Sequence, residues 1–260
     1  MKNSNKNIKK RRQQIIVLLE QSAKKTLSVN ELAETLEVSS MTMRRDLDTL
    51  EKMGQLKRHH GVATLSEPIH FEGTTESEQL ELNKQQIAKV AASHIEDNMT
   101  VFVNSSSTAL ESMVHTQAQN LTIISNNTQI AHKRIPLHST VILTGGELRI
   151  PKEVLVGTLA IETLSGFNSD IAIIGCSGIS ADKGISTHNI HESKLNEIMI
   201  NHTNRTVIVV ADYRKIGNDS NFVVSSLYKI DILITDRYAD QDELNKMEEL
   251  GVTVIQAYIP

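Results

Sequence analysis

From residue 99 to the C-terminus, short runs of β-branched and aliphatic residues alternate with segments of helical periodicity, and this alternation restricts the fold more than any other feature. The runs fall at 99–103, 121–124, 140–143, 170–174, 205–210, 231–235 and 252–257. A strand with one face in water alternates apolar and polar side chains, whereas these are apolar nearly throughout. That is the pattern of a parallel sheet covered by helices on both faces. Helical periodicity at 108–115, 129–134, 192–202 and 240–250 supplies the covering layers, and a stripe of Ile87, Ala88, Ala91, Ala92 and Ile95 opens the region. The expectation is a mostly parallel α/β domain over residues 83–260, preceded by a polar, acidic linker at 66–82.

Residues 1–65 follow another rule. Ile15, Ile16, Leu18 and Leu19 form the apolar stripe of a first helix starting near Lys10. Ser28 and Glu31 have the spacing of a capping box and open a second helix through Leu32, Ala33 and Leu36. After a turn at Glu37-Val38-Ser39, with Ser39 or Ser40 as cap, a third helix buries Met43, Leu47 and Leu50 and presents Thr42, Arg44, Arg45 and Asp48. Gly54 ends it, and residues 56–64 read as a basic hairpin turning at His60-Gly61.

Charge separates the same two regions. Residues 1–65 carry 13 Lys and Arg against 7 Asp and Glu, a net of +6, while the remainder carries 14 against 24, a net of −10. A basic head on an acidic body suits a chain whose head alone approaches a polyanion. Two short helices, a tight turn and a basic hairpin make a winged helix-turn-helix, an α+β unit. A major groove about 12 Å wide admits one helix, whose N-terminal residues reach the base edges. Ser40, Met41, Thr42, Arg44 and Arg45 hold those positions, while Arg12 ahead of the motif and Lys57, Arg58, His59 and His60 in the wing would meet phosphates of double-stranded DNA. The plainer alternative is a solvated helix whose arginines pair locally with Asp46 and Asp48.

The segment Val38-Ser39-Ser40-Met41-Thr42-Met43-Arg44-Arg45-Asp46-Leu47, followed by Leu50-Glu51, Gly54 and Arg58-His59-His60-Gly61, resembles the N-terminal signature of the DeoR family of bacterial regulators. The wing departs from it in one respect: Val62 stands where a second glycine is usual. The resemblance continues through Lys84, Ser125-Asn126, Thr144-Gly145-Gly146-Glu147, Gly157, Asp170, Gly175-Cys176-Ser177-Gly178, Gly184, Glu192, Ala211-Asp212, Lys215, Gly217, Ile230-Asp231 and Thr235-Asp236, covering nearly the whole chain. It implies a sensor domain similar to the ribose-5-phosphate isomerase and CoA-transferase folds, a phosphorylated sugar or related effector, and action as a repressor.

The residues point the same way. Asn104-Ser105-Ser106-Ser107-Thr108 follows a strand and opens a helix, and backbone N–H groups beside hydroxyls there make an anion cradle. Asn126, Gly145-Gly146 and Gly175-Cys176-Ser177-Gly178 also follow strands, where open α/β sheets bind ligands. Lys215, just past Asp212, can place a positive charge on a phosphate, and Glu192 joins the set as a family landmark. Each loop taken singly is better explained as an ordinary turn, with its serines as helix caps; the set together, with the resemblance, favours binding. Two departures concern this region. The family's loop commonly reads Asp-x-Gly-Thr-Thr, and a lysine expected four residues after Glu192 is Asn196 here.

Other chemistry finds less support. His188, His191 and Glu192 lack the further His/Cys cluster that would complete a metal site, so no metal and no cofactor is expected. Cys176 has no His/Asn arrangement to make it a nucleophile. Asp212 and Glu192 are the best acid/base pair for the alternative of an isomerase-like enzyme with a DNA-binding head; an activator is the other alternative. No apolar run approaches the roughly 20 residues that span a bilayer, and one cysteine suits a reducing cytoplasm. Paired heads on repeated half-sites imply a homo-oligomer, dimer or tetramer.

Overall fold

Seven parallel strands form the central sheet of the C-terminal unit, in the spatial order Thr253–Ala257, Ile232–Asp236, Thr203–Val210, Ser169–Gly175, Thr100–Val103, Thr122–Ser125 and Thr140–Leu143. The computed structural model of the chain describes residues 8, 11–12, 14–16, 18–19, 22, 26–52, 56–59, 61–65 and 76–257. It divides into two compact units, residues 1–75 and 76–260.

In the first unit the described residues of 8–19 are helical. They are followed by β1 (Thr26–Ser28), α1 (Val29–Thr35), α2 (Ser40–Lys52), β2 (Leu56–His59) and β3 (Val62–Leu65). The capping box forms: the Glu31 amide donates to Ser28 Oγ at 3.2 Å, and the Ser28 amide donates to Glu31 Oε2 at 2.7 Å. Of the two candidate caps for α2, Ser39 takes the role, its Oγ accepting from the Thr42 amide at 3.2 Å. Ile15, Leu19, Leu32, Met43, Leu47, Leu50, Leu56 and Ala63 pack into one core. The wing is a three-stranded antiparallel sheet, β1-β3-β2, rather than a hairpin alone. Gly61 turns it at φ 82°, a left-handed conformation that favours glycine.

The second unit starts earlier than its apolar stripe suggests. Helix α3 spans Glu76–Ala92, so residues 76–82, expected as linker, are helical. Gln79 and Asn83 are buried and hydrogen-bonded to each other at 3.1 Å. They continue the stripe of Ile87 and Ala91 backward with polar residues, which conceals it.

The sheet strands are β4 (Thr100–Val103), β5 (Thr122–Ser125), β6 (Thr140–Leu143), β9 (Ser169–Gly175), β12 (Thr203–Val210), β14 (Ile232–Asp236) and β15 (Thr253–Ala257). In β9, successive side chains serve opposite faces. Ile171 and Ile173 join one core with Ile87, Ala91, Leu110 and Met113, and Ala172 and Ile174 join another with Leu164, Leu195, Met199 and Leu244. Helices α3 and α4 (Ser107–His115) cover the first face, and α5 (Thr158–Ser165), α6 (Ile190–Asn201) and α7 (Gln241–Glu249) the second. The segment expected as a helix near 129–134 is a 3-10 helix, Thr128–His132. Two small antiparallel sheets, β7-β8 (Glu147–Arg149, Val154–Val156) and β10-β11-β13 (Gly178–Ser180, Gly184–Thr187, Phe222–Ser225), are additions around the strands' carboxyl ends.

Candidate functional site

The outer face of α2 carries the expected reading residues. Arg44 and Arg45 are exposed, Met41 is 66% exposed, and Met43, Leu47 and Leu50 turn inward. Asp46 is not a partner of the two arginines. It is buried, and it accepts the Nε of Arg11 at 2.6 Å and of Arg12 at 3.0 Å. Among the described residues no ion pair holds the guanidinium of Arg44 or Arg45. Arg58 is likewise tied inside the head. Its Nε lies 2.9 Å from Glu51 Oε2, its Nη2 bonds Asp48, and its amide donates to Glu51 Oε1 at 2.9 Å. The hydrogen bond to Glu51 holds its pKa above the ordinary value. Arg12 and Arg58, expected on phosphates, are therefore engaged with acidic residues of α2. His60 lies outside the described residues, as do the side chains of Lys57 and His59.

The second site is a pocket of about 580 Å³ at the carboxyl ends of the parallel strands. Its wall contains Ser105, Ser106, Ser107, Gly175, Cys176, Ser177, Glu192 and Lys215, all expected from sequence. Asn127, Gln129, Lys152, Thr187, His188, Asn196 and Arg214 also line it and were not among the expected site residues. Ser106 caps α4, its Oγ accepting from the Ala109 amide at 3.4 Å. This serine and Gly175 fit only together, because a Cβ on Gly175 would stand 2.0 Å from Ser106 Oγ.

Several expected binders sit behind the wall instead. Asn104 is buried; its Oδ1 accepts from the Gly175 amide at 3.0 Å, and its Nδ2 donates to the Gly175 carbonyl at 2.8 Å and to Asn196 Oδ1 at 3.1 Å. Thr108 and Asn126 are buried too, and neither lines the pocket. Gly145, Gly146 and Gly178 are also absent from the wall. A Cβ on Gly146 would meet the Val156 carbonyl at 2.4 Å and one on Gly178 the Asn218 carbonyl at 2.3 Å, so these two glycines admit neighbouring backbone. Asp212 lies beneath Arg214 and Lys215. It accepts Nε and Nη2 of Arg214 at 2.7 and 3.2 Å, with Lys215 Nζ at 3.8 Å. Burial pushes its carboxyl up, but Arg214 and Lys215 outweigh burial and hold it below the ordinary value.

The electrostatics combine both signs. Arg214, Lys215 and the largely exposed Lys152 supply positive charge, and Glu192 supplies a buried carboxylate 3.5 Å from Lys152. Burial pushes the Cys176 thiol up to about 11, which leaves it protonated at neutral pH. His188 Nε2 lies 3.5 Å from Ser220 Oγ and His191 Nε2 3.4 Å from an Arg149 nitrogen. Among the described residues no group of three His, Cys, Asp or Glu is arranged to hold a metal, and no helix is long and apolar enough to cross a membrane.

Family models agree with both units. The DeoR-like helix-turn-helix domain matches residues 11–68 and the DeoR C terminal sensor domain residues 80–237. The chain belongs to the DeoR family. This DeoR-family protein is a DNA-binding transcriptional regulator with an N-terminal helix-turn-helix and a C-terminal α/β sensor domain. It is 32% identical over 250 residues to the HTH-type transcriptional regulator GolR of Listeria innocua, covering 94% of this chain and 96% of that one. It is 31% identical over 218 residues to the glycerol-3-phosphate regulon repressor of Escherichia coli, covering 81% and 84%. Among solved structures, ribose 5-phosphate isomerase A of Methanocaldococcus jannaschii aligns with a TM-score of 0.36 at 16% identity over 52% of this chain and 54% of that one, too distant to carry an inference.

Proposed function

We propose that this DeoR-family regulator represses a sugar-metabolism operon and leaves its operator when a phosphorylated sugar or related metabolite fills the pocket. One observation carries the reading. Lys215 and Arg214, organised by Asp212, line the same pocket as Ser105, Ser106 and Ser107 at the N-terminus of α4. Cations facing hydroxyls and a helix N-terminus form a site for a phosphate ester. The Escherichia coli relative, whose name is a glycerol-3-phosphate regulon repressor, supports the same ligand class.

On the DNA side, Ser40, Met41, Thr42, Arg44 and Arg45 enter the major groove, and Lys57, His59 and His60 meet phosphates. Arg12 and Arg58 hold α2 for that task through Asp46, Asp48 and Glu51. A homo-oligomer places two heads on repeated half-sites, and a DNA partner places its work in the cytoplasm.

The test is fluorescence anisotropy of the full chain on promoter DNA of the adjacent operon, titrated with sugar phosphates. Release by one of them, lost in Lys215→Ala with operator affinity intact, is the expected result. Wild-type release by Lys215→Ala overturns the pocket assignment, and operator binding that no phosphate ester weakens overturns the effector class.

A further inference from the structure

A phosphate site accounts for the cations of the pocket but not for the buried carboxylate among them. Glu192 and Asn196 lie one turn apart on α6, and both line the pocket while being nearly inaccessible. Glu192 Oε2 accepts from Ser105 Oγ, and Oε1 accepts from Asn189 Nδ2 at 2.6 Å. The remaining neighbour, Lys152 Nζ, stands 3.5 Å away on a side chain that is 67% exposed. Each carboxylate oxygen accepts two hydrogen bonds, so the group has capacity left for an occupant of the pocket. Asn196 is the complement. Its Oδ1 is taken by Asn104, which leaves its NH2 as the polar group for an occupant.

An acceptor and a donor one helical turn apart match a group that both donates and accepts. A hydroxyl does so; a second carboxylate cannot donate, and it would add like charge beside Glu192 in a site of reduced dielectric. We infer that Glu192 and Asn196 read a carbon-bound hydroxyl of the effector, so that the pocket takes hydroxylated phosphate esters and rejects those carrying a carboxylate at that end. The inference rests on the phosphate-ester reading above and adds the specificity within that class. Negative selection by an unpaired like charge is how such a site separates ligands of equal size.

Matched pairs test it. Sorbitol 6-phosphate and 6-phosphogluconate differ only in an alcohol against an acid at the far carbon, and glycerol 3-phosphate and 3-phosphoglycerate form a shorter pair. Calorimetry of the full chain is expected to show the alcohol bound about tenfold or more tightly than its acid in the better-binding pair. In Glu192→Gln, where the new amide can donate to a carboxylate, that preference is expected to vanish or invert. Acid and alcohol binding equally to wild type overturns the inference without any variant, and so does an undiminished preference in Glu192→Gln. Lys215→Met separates the two levels: loss of affinity for both members of a pair upholds the phosphate reading whatever Glu192→Gln does. Full retention overturns that reading and this inference with it.

Discussion

Asn104 donates from Nδ2 to Oδ1 of Asn196 at 3.1 Å, so the two departures from the family's pattern in this region are a single contact. At these two positions the family pattern has an aspartate and a lysine; here two neutral amides meet. Changing only one end should therefore be worse than changing both. Asn104→Asp removes the donor to the Gly175 carbonyl and to Asn196 and sets a buried carboxylate against both oxygens. We expect it to lower stability by about 2 kcal/mol. Adding Asn196→Lys should recover more than half of that loss. A double-mutant cycle read by denaturant unfolding checks the coupling, and additive effects would contradict it.

Asp46 holds the reading helix by accepting two arginines from the first helix. Removing a buried acceptor leaves its donors unpaired and lets the N-terminal half of α2 shift. Asp46→Ala should cost about 1–3 kcal/mol of head stability and weaken operator binding more than binding to random DNA. Anisotropy on operator and on random duplex measures both. An equal loss on the two would assign Asp46 to folding alone.

The sheet was legible because its strands are apolar nearly throughout: β4, β5, β9 and β14 are almost wholly buried, and the partly exposed edge strands β6 and β15 keep the same pattern. The smaller strands were not. β7 and β10 are three residues each, and their pairing is a product of tertiary placement rather than of local pattern. Helix α5 lacked a start signal, since its N-cap is Gly157, which makes no side-chain cap. In the pocket, the loops after β4 and β9 were legible because strand ends are where ligands sit in such sheets. Lys152 reaches the wall from the β7–β8 turn and His188 from the loop after β11, and neither position follows from chain order. Asn104 and Asp212 mark the opposite gap: both were expected to bind the effector, but residue type carries no record of depth, and both lie behind the residues they position.

Arg44→Ala and Arg45→Ala should each weaken operator binding by about 1–3 kcal/mol and relax the preference at one base pair, with thermal unfolding unchanged because both side chains are exposed and unpaired within the described head. Arg58→Ala should differ in kind. It removes the contacts to Asp48 and Glu51, so affinity and head stability should fall together. Parallel anisotropy and melting measurements separate the two classes. A destabilised Arg44→Ala would show that this residue packs rather than reads.

Asp236 supplies a pH dependence of unusual sign. Burial raises its pKa from the ordinary 3.8 to about 6, the nearby Asp212 adds to the shift, and the Tyr213 and Tyr238 amides and Arg214 oppose it. Between these two values the unfolded chain ionises while the folded carboxyl keeps its proton. The unfolded state then binds fewer protons, and stability falls as pH rises from about 4 to about 6, by about 3 kcal/mol in all. Asp212, with its lowered pKa, acts in the opposite direction and below this window, its contribution being lost only as pH drops under the ordinary carboxylate value. Asp236→Asn removes the titration, although its amide can accept only one of the two tyrosine N–H groups. The variant should therefore start less stable than wild type at pH 4 and gain on it steadily up to pH 6, after which the difference should be constant. Denaturant unfolding of both proteins across that range is the measurement, and a pH-independent difference would rule out the raised pKa.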